Sequence, residues 1–268
     1  MGLRAFHNSG RRAHGEGSAM KVALIGYGRM GHAVEAAAAA RGHEVVARLD
    51  QGDELDRTSL AGAEVAIDFT FPGAVVENAR RVAQAGLDLV IGTTGWHDRI
   101  EDVRGAVTAA GTGCLWSPNF SLGVQLFFRL AAVAGRLADA LEEYDAYVYE
   151  AHHRHKLDHP SGTAVKLAEL LVAGLGRKRE WREGPPDQGG AAEPLDPSVL
   201  WVSSTRAGEI PGTHEVGLEG PADGIVLRHT AHGREGFARG AVAGAEWVRG
   251  RTGFFGMDEM LAERLGPV

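Results

Sequence analysis

The chain has 268 residues, 44% of them apolar, which is enough to bury one large core or two modest ones. Its formal net charge of -7 and dispersed basic residues argue against a nucleic-acid-binding surface, and no apolar run is long enough to cross a bilayer. A single cysteine, Cys114, excludes an internal disulfide and fits a reducing compartment, so we expect a cytoplasmic protein.

Residues 1–19 are rich in glycine, arginine and histidine and have no apolar periodicity. They lack the continuous apolar core of a secretory signal. We interpret them as a disordered extension or an expression remnant ahead of Met20.

Apolar strands alternate regularly with helices from residue 20 to about residue 140. The strands are predicted at residues 21–25, 44–49, 64–70, 88–91 and 113–116. Continuous apolar strands that alternate with helices are typical of a doubly wound parallel sheet, so we predict an α/β domain of this class.

After residue 142 the pattern changes and indicates a second, smaller domain with one open sheet face. We predict a strand at 144–151, a helix at 164–175, a loop at 177–197, three strands at 200–206, 214–219 and 224–231, and a final helix at 234–248. Gly208, Pro211-Gly212 and Asp223-Gly224 supply the turn chemistry of antiparallel hairpins between the three strands.

The first strand runs into the turn Gly26-Tyr27-Gly28-Arg29-Met30-Gly31, which opens a helix. This Gly-x-Gly-x-x-Gly spacing is followed by Asp50 nineteen residues after Gly31, at the end of the second strand. Gly26 permits a tight turn, Gly28 lets the backbone approach a pyrophosphate, and Gly31 lets the helix pack on the strand. The arrangement predicts a dinucleotide site; the alternative is a glycine-rich turn without a ligand.

The same region bears on the choice of nicotinamide cofactor. Asp50 can accept hydrogen bonds from a ribose diol, which favours NADH, unless it is an ordinary polar strand end. Gln51 stands where an arginine would help to bind a 2'-phosphate, although Arg29 and Arg48 could reach one. The sequence therefore leans to NADH without excluding NADPH.

Two polar turns follow the fourth and fifth strands, Gly92-Thr93-Thr94 and Ser117-Pro118-Asn119-Phe120. Ligands of open parallel sheets bind at the carboxyl edge of the strands. Threonine and asparagine at this edge can bond a nicotinamide ribose and carboxamide, although either turn could be purely structural.

Residues 150–160 concentrate four histidines, Lys156 and Arg154 between an apolar strand and an apolar helix. Hydride transfer to an unsaturated carbon leaves negative charge, and a histidine is the usual proton donor for it. His152 and His153 lie on an extended segment, so we expect them to face opposite sides and to have different tasks.

Lys156 supplies a cation that can hold a carboxylate or assist protonation. Ser161-Gly162-Thr163 then opens a helix, whose hydroxyls and free N–H groups make an anion site. Together these groups predict a carboxylate substrate, including a dicarboxylate.

Other interpretations of this segment remain open. Zinc could bind His152, His153 and His155 with Glu150 or Asp158, but the segment has no thiolate and no helical His-x-x-x-His, so we predict no metal. The segment could also be a solvated basic loop. At the level of function, the alternatives are a different nicotinamide-dependent reductase, a catalytically silent dinucleotide sensor and a zinc-binding structural module.

Several motifs of the chain resemble those of the 4-hydroxy-tetrahydrodipicolinate reductase (dihydrodipicolinate reductase) family. The family signature is similar to Glu150-Ala151-His152-His153-Arg154-His155-Lys156 together with Pro160-Ser161-Gly162-Thr163-Ala164. Further similar motifs lie at residues 68–70, 92–95, 118–121 and 206–212, and the resemblance spans about residues 21–260.

The resemblance implies a Rossmann-type domain of residues 20–122 and 234–268, and a substrate-binding domain of residues 123–233 with a mixed open sheet that forms a homotetramer. It implies reduction of 4-hydroxy-tetrahydrodipicolinate to tetrahydrodipicolinate by NADH or NADPH, with loss of water, in lysine and diaminopimelate biosynthesis. His152 would be the proton donor and Lys156 a second acid or a carboxylate anchor. The implied substrate-binding residues are His153, Ser161, Gly162 and Thr163, and the implied cofactor-binding residues are Gly26 to Gly31, Asp50, Gly92, Thr93, Thr94, Ser117, Pro118, Asn119 and Phe120.

Overall fold

The computed structural model describes residues 18–184 and 195–266. Most of the predicted extension, residues 1–17, and part of the predicted loop, residues 185–194, lie outside this description. Within it, Ser18 accepts a hydrogen bond from the Arg249 guanidinium at 3.0 Å.

The described residues form eleven strands in two sheets, with seven α-helices packed on them. The strands are β1 (Lys21–Ile25), β2 (Glu44–Leu49), β3 (Val65–Asp68), β4 (Asp88–Ile91), β5 (Gly113–Trp116), β6 (Asp145–His152), β7 (Glu180–Glu183), β8 (Val199–Arg206), β9 (Thr213–Glu219), β10 (Gly224–Thr230) and β11 (Gly253–Gly256). The helices are α1 (Arg29–Ala40), α2 (Val75–Gln84), α3 (Ile100–Ala110), α4 (Leu122–Asp139), α5 (Gly162–Gly174), α6 (Glu235–Val248) and α7 (Met257–Leu265). None of these described helices has the length and apolar character needed to span a membrane.

The first sheet has the order β11-β5-β4-β3-β1-β2, and every neighbouring pair is parallel. Its inner strands are buried on both faces, which explains their continuous apolar runs. Helices α1, α6 and α7 cover one face, and α2 and α3 cover the other. The prediction of a doubly wound parallel sheet is therefore confirmed.

The prediction that α6 ends the fold is wrong. The chain continues into β11, which pairs with β5 at the sheet edge, and into α7, whose Met257 and Met260 join the core beside α6. Strand β11 begins and ends with glycine, and its two apolar residues are too few to give a strand signal in the sequence.

The second sheet is mixed, with the order β10-β9-β6-β8-β7. Strands β6, β8 and β7 are parallel, whereas β9 is antiparallel to both β6 and β10. This mixed sheet confirms the second part of the predicted fold class. Two details are wrong: Gly208 and Pro211-Gly212 do not join neighbouring strands, because β6 lies between β8 and β9, and the predicted loop contains the short strand β7.

One face of the second sheet is covered and the other is open. Helices α4 and α5 pack on the covered face around Val148, Val202 and Val216. The open face carries a row of cross-strand neighbours formed by Val226, Gly217, Tyr147 and Trp201. Val226 is 53% exposed, so this face presents apolar surface to solvent.

A cleft of about 1900 Å³ separates the two sheets. Its walls include the turns after β4 and β5 on one side, and the end of β6 and the amino end of α5 on the other. The order β2-β1-β3 places the topological switch point beside β1, and ligands of open α/β sheets bind at such a point.

Candidate active site

The turn between β1 and α1 is built around three glycines with different environments. Gly26 has a φ of +87°, and a Cβ there would lie 2.4 Å from the Phe69 carbonyl oxygen. A Cβ at Gly31 would lie 2.7 Å from the Gly26 carbonyl oxygen, whereas one at Gly28 would meet nothing within 4 Å. Gly28 is also the N-cap of α1 and makes no side-chain cap, so the helix N–H groups face open space. These features fit a pyrophosphate beside Gly28, with Tyr27, Arg29 and Met30 in the same turn.

The charged side chains near the end of β2 differ in whether another side chain already binds them. Asp50 is exposed, and its carboxylate accepts a hydrogen bond from the Gln51 N–H at 2.9 Å. The Arg48 guanidinium forms an ion pair with Glu35, so it already has an anionic partner. Arg29 is exposed and forms no ion pair within the described part of the chain. Of the two arginines that the sequence offers to a 2'-phosphate, only Arg29 is free.

The turn after β4 is organised by a buried carboxylate that the sequence did not single out. Asp68 accepts hydrogen bonds from Thr70 at 2.7 and 2.9 Å, from Asn78 at 2.9 Å and from the Thr93 hydroxyl at 3.0 Å. Burial raises the pKa of Asp68 despite these donors. The Thr93 hydroxyl is therefore engaged within the protein, whereas Thr94 is exposed and lines the cleft beside Gly92.

In the turn after β5, three residues line the cleft and the fourth packs in the core. Ser117 donates to the Asn119 carbonyl at 2.8 Å, and Asn119 reaches across the cleft to donate to the Thr163 hydroxyl at 3.4 Å. Ser117, Pro118 and Asn119 line the cleft. Phe120 is only 1% exposed and packs in the core against Gly240 and Gly244, so its side chain does not reach the cleft.

His152 ends β6 and forms a short hydrogen bond from Nδ1 to the Glu150 carboxylate. Glu150 is fully buried, and its other oxygen accepts from the Arg206 guanidinium at 2.7 Å. Burial alone would raise the pKa of Glu150, but the bonds from His152 and Arg206 outweigh it and lower this pKa to about 2. A Cβ on Gly212 would lie 3.1 Å from His152 Nε2, so glycine keeps this nitrogen accessible.

His153 and Lys156 lie in the same cleft as His152. Strand β6 ends at His152, so the alternation on which the expectation of opposite faces depends stops there, and both histidines line the cleft. The expectation that they have different tasks stays a prediction. Lys156 Nζ donates to both Asp158 oxygens at 2.8 and 2.9 Å. Partial burial opposes ionisation of Asp158, but the Lys156 ammonium lowers its pKa.

The amino end of α5 faces this group. Ser161 is the N-cap, and its hydroxyl accepts from the Ala164 N–H at 3.2 Å and contacts His214 Nε2 at 3.1 Å. Gly162 is exposed, and a Cβ there would meet nothing within 4 Å, so the first N–H groups of the helix are open to an anion. Burial lowers the pKa of His214 to about 3, which keeps this histidine neutral.

The candidate metal ligands that the sequence offers come together only in part. Within the described residues, the ligand atoms of Glu150, His152 and His214 lie within 4.8 Å of one another, whereas His153 and His155 are not part of this group. The Arg206 guanidinium binds the same carboxylate, and a second cation there would meet its charge. The donor set therefore favours proton chemistry over a metal ion.

Three residues near the site were missed as site residues from the sequence: Arg206, His214 and Arg234. Arg206 begins the motif at residues 206–212, which was noted only as a point of resemblance, and His214 lies two residues after that motif. Arg234 lines the cleft from the amino end of α6. In all, six lysine or arginine side chains and four acidic ones line the cleft, a balance that suits an anionic ligand.

Comparison with known proteins identifies the family. The family model described as "Dihydrodipicolinate reductase, N-terminus" matches residues 20–120, and the one described as "Dihydrodipicolinate reductase, C-terminus" matches residues 123–261. The 4-hydroxy-tetrahydrodipicolinate reductase of Christiangramia forsetii is 35% identical over 91% of this chain and 98% of its own length. That of Archaeoglobus fulgidus is 38% identical over 90% of this chain and 100% of its own.

Solved structures agree with this assignment. The dipicolinate-bound dihydrodipicolinate reductase of Paenisporosarcina sp. TG-14 superimposes with a TM-score of 0.72 at 25% identity, covering 89% of this chain and 97% of that one. An engineered D-amino acid dehydrogenase bound to NADP+ has a TM-score of 0.52 at 16% identity and shares the fold alone. The chain belongs to the dihydrodipicolinate reductase family, whose members are oxidoreductases.

Proposed function

We propose that this protein uses NADH or NADPH to reduce 4-hydroxy-tetrahydrodipicolinate to tetrahydrodipicolinate, with loss of water, in lysine and diaminopimelate biosynthesis. Family membership over both domains supports the reaction. The observation that carries the assignment of the site is the His152 ring, held by Glu150, beside the open amino end of α5 in a basic cleft.

His152 is the proton donor in this proposal. Loss of water from C4 and the carbon between C4 and the imine leaves a C=C bond conjugated with the C=N bond, which makes C4 able to accept a hydride. When bound, the nicotinamide would supply that hydride. The carbon next to C4 then gains electron density, and His152 Nε2–H delivers a proton to it. Gly212 leaves room for the substrate at this nitrogen, since a side chain there would contact it.

The substrate carboxylates are held by the α5 amino end and by Lys156. The N–H groups of Gly162 and Thr163 and the hydroxyl of Thr163 offer hydrogen bonds to one carboxylate. Lys156 exchanges its contact with Asp158 for a contact with the substrate, and His153 adds a donor from the same loop. Asp158 thus holds the ammonium in place until the substrate arrives.

The cofactor preference in this proposal leans to NADH. The exposed Asp50 carboxylate at the end of β2 suits a ribose diol and repels a 2'-phosphate. NADPH is also used in this proposal, because the exposed Arg29 guanidinium can bind its 2'-phosphate.

We infer that the protein forms a homotetramer through the open face of its second sheet. The row Val226, Tyr147 and Trp201 gives this face an apolar, aromatic surface on an otherwise charged protein. Light scattering during gel filtration tests this: Val226→Asp should yield a smaller species than the wild type. Leu137→Asp, on α4 away from this face, is the matched control and should leave the assembly intact.

We also infer a cytoplasmic location. Cys114 is the single cysteine of the sequence and is buried as a free thiol. Burial raises the pKa of the Cys114 thiol, which keeps it protonated and protects it from oxidation. Its side chain therefore contributes to packing.

The reaction is tested by following NADH and NADPH oxidation by purified protein. The substrate is made in situ from pyruvate and aspartate semialdehyde by the preceding synthase, and omission of the synthase is the control. Rapid oxidation that requires the synthase supports the proposal. Tight NADH binding without oxidation would contradict it and would favour a catalytically silent dinucleotide-sensing protein.

A further inference from the structure

We propose that Glu150 is a positioning residue whose single buried carboxylate fixes the proton donor and the substrate-binding helix end relative to each other. One oxygen binds His152, and the other binds the backbone N–H of Ser161 together with Arg206. The inference rests on the proposed function of His152, and it adds a group that controls how that histidine acts.

Glu150 contacts both the proposed proton donor and the amino end of α5. Glu150 and His152 lie two residues apart on β6 and therefore face the same side of the strand. Oε2 accepts from His152 Nδ1, and Oε1 accepts from the Ser161 N–H at 3.3 Å and from Arg206 Nη2 at 2.7 Å. A fully buried carboxylate with donors on both oxygens has no room to rotate. It therefore sets the distance between the His152 ring and the first turn of α5.

The same contact decides which nitrogen of His152 works. An ionised carboxylate can only accept hydrogen bonds, so Nδ1 of His152 must carry a hydrogen. Nε2 is then the nitrogen directed to the space beside Gly212, where a substrate can reach it.

Arg206 extends this arrangement to the loop that carries Lys156. Its guanidinium donates to Glu150 and also to the Asp158 carbonyl oxygen at 2.6 Å. Arg206 thus joins the proton donor to the cation proposed to bind the substrate. Its positive charge also balances the buried charge of Glu150.

Few other groups titrate next to this pair. His214 from β9 contacts the His152 ring at 5.0 Å between centroids, and it is neutral above its pKa of about 3. His229 from β10 stands behind His214, and burial lowers its pKa too. The remaining charged neighbours are Arg206 from β8 and Lys156 with Asp158 from the loop after β6.

The test compares Glu150→Gln, which keeps the shape and removes the charge, with the wild type. We expect kcat to fall at least about tenfold, as for the loss of other supporting hydrogen-bond partners. We also expect the ¹⁵N NMR signals of His152 in this variant to show the hydrogen no longer held on Nδ1, because an amide can donate to that nitrogen as well as accept from it. NADH affinity should stay the same.

Glu183→Gln is the matched control, because it removes the carboxylate from a second histidine–carboxylate pair, His159–Glu183, that is exposed and lies outside the cleft. It should alter neither kcat nor the position of the hydrogen on neutral His152. A lower kcat for Glu150→Gln with the hydrogen still held on Nδ1 would overturn the proposal, because a merely structural role predicts that result.

A measurement on the wild type keeps the proposal testable if Glu150→Gln does not fold. In ¹⁵N NMR spectra of histidine-labelled protein, the His152 signals are assigned by their loss in His152→Gln. We expect neutral His152 to carry its hydrogen on Nδ1, and a hydrogen on Nε2 would overturn the proposal. This readout needs no substrate, so its outcome is independent of whether the proposed reaction is correct.

Discussion

The side-chain amide of Asn119 donates a hydrogen bond to the Thr163 hydroxyl over 3.4 Å. Asn119 follows β5 of the first sheet, and Thr163 lies in the first turn of α5 in the second domain, so this bond crosses the cleft. It brings the proposed cofactor-binding turn within one hydrogen bond of the proposed substrate-binding helix end. Hydride transfer needs such closeness, because the reacting atoms must lie about 3–3.5 Å apart.

Alanine substitutions at two glycines of the turn between β1 and α1 should affect different properties, cofactor binding at Gly28 and stability at Gly31. Gly28→Ala adds a methyl group in open space where the pyrophosphate would lie, so it should weaken NADH binding about tenfold or more, or about 1.4 kcal/mol, with an unchanged melting temperature. Gly31→Ala forces a methyl group to 2.7 Å from the Gly26 carbonyl and should destabilise the fold by about 1–3 kcal/mol. Calorimetric titration and thermal unfolding separate the two effects. Full NADH affinity in Gly28→Ala would contradict the proposed binding mode.

Asp50 should control the choice of cofactor. Asp50→Ser removes the carboxylate that repels a 2'-phosphate and leaves Arg29 free to bind it. We expect the ratio of kcat/KM for NADPH to that for NADH to rise about tenfold, or about 1.4 kcal/mol in relative transition-state binding. Glu54→Gln changes an exposed acid nearby and should leave the ratio unaltered. An unaltered ratio in Asp50→Ser would remove Asp50 from the ribose site.

Lys156 should affect both substrate binding and rate. Lys156→Ala removes the ammonium proposed to bind a substrate carboxylate, so we expect KM to rise about tenfold and kcat to fall as well. Arg154→Ala removes a neighbouring charge that is 65% exposed and only loosely paired with Glu209, and it should behave as the wild type. Wild-type kinetics in Lys156→Ala would exclude the lysine from the site.

The buried Glu150 carboxylate should make stability depend on pH. Its pKa is about 2 in the folded protein and higher in the unfolded chain, so the stabilisation is present above about pH 4.5 and is lost as pH falls toward 2. Urea unfolding should show the wild type on the order of 2–3 kcal/mol more stable than Glu150→Gln near pH 7, with the gap narrowing in acid. A gap that stays constant from pH 7 to pH 3 would show that Glu150 is not held ionised.

Local sequence patterns predicted much of the fold and part of the site. Strands β1, β3, β4 and β5 were predictable because burial on both faces demands continuous apolar runs. The Ser161 cap was predictable because a hydroxyl before an apolar helix is itself a local signal. The edge strands β7 and β11 were not predictable, since β7 is mostly charged and β11 has only two apolar residues between glycines.

Contacts between distant parts of the chain could not be predicted. Arg206 meets Glu150 across 56 residues, and His214 meets Ser161 across 53, through the insertion of β6 between β8 and β9. No local pattern encodes that strand order. The hydrogen bond from the Thr93 hydroxyl to Asp68, 25 residues earlier, could not be predicted for the same reason.

The most direct test of the account is the turnover of His152→Gln in the synthase-coupled assay, with NADH affinity measured on the same sample. Glutamine retains bulk and hydrogen bonding but cannot deliver a proton. We predict that kcat falls by about 10²- to 10⁴-fold while NADH binds as to the wild type. Turnover within about twofold of the wild type would show that His152 is not the proton donor, since general acid catalysis contributes far more than that.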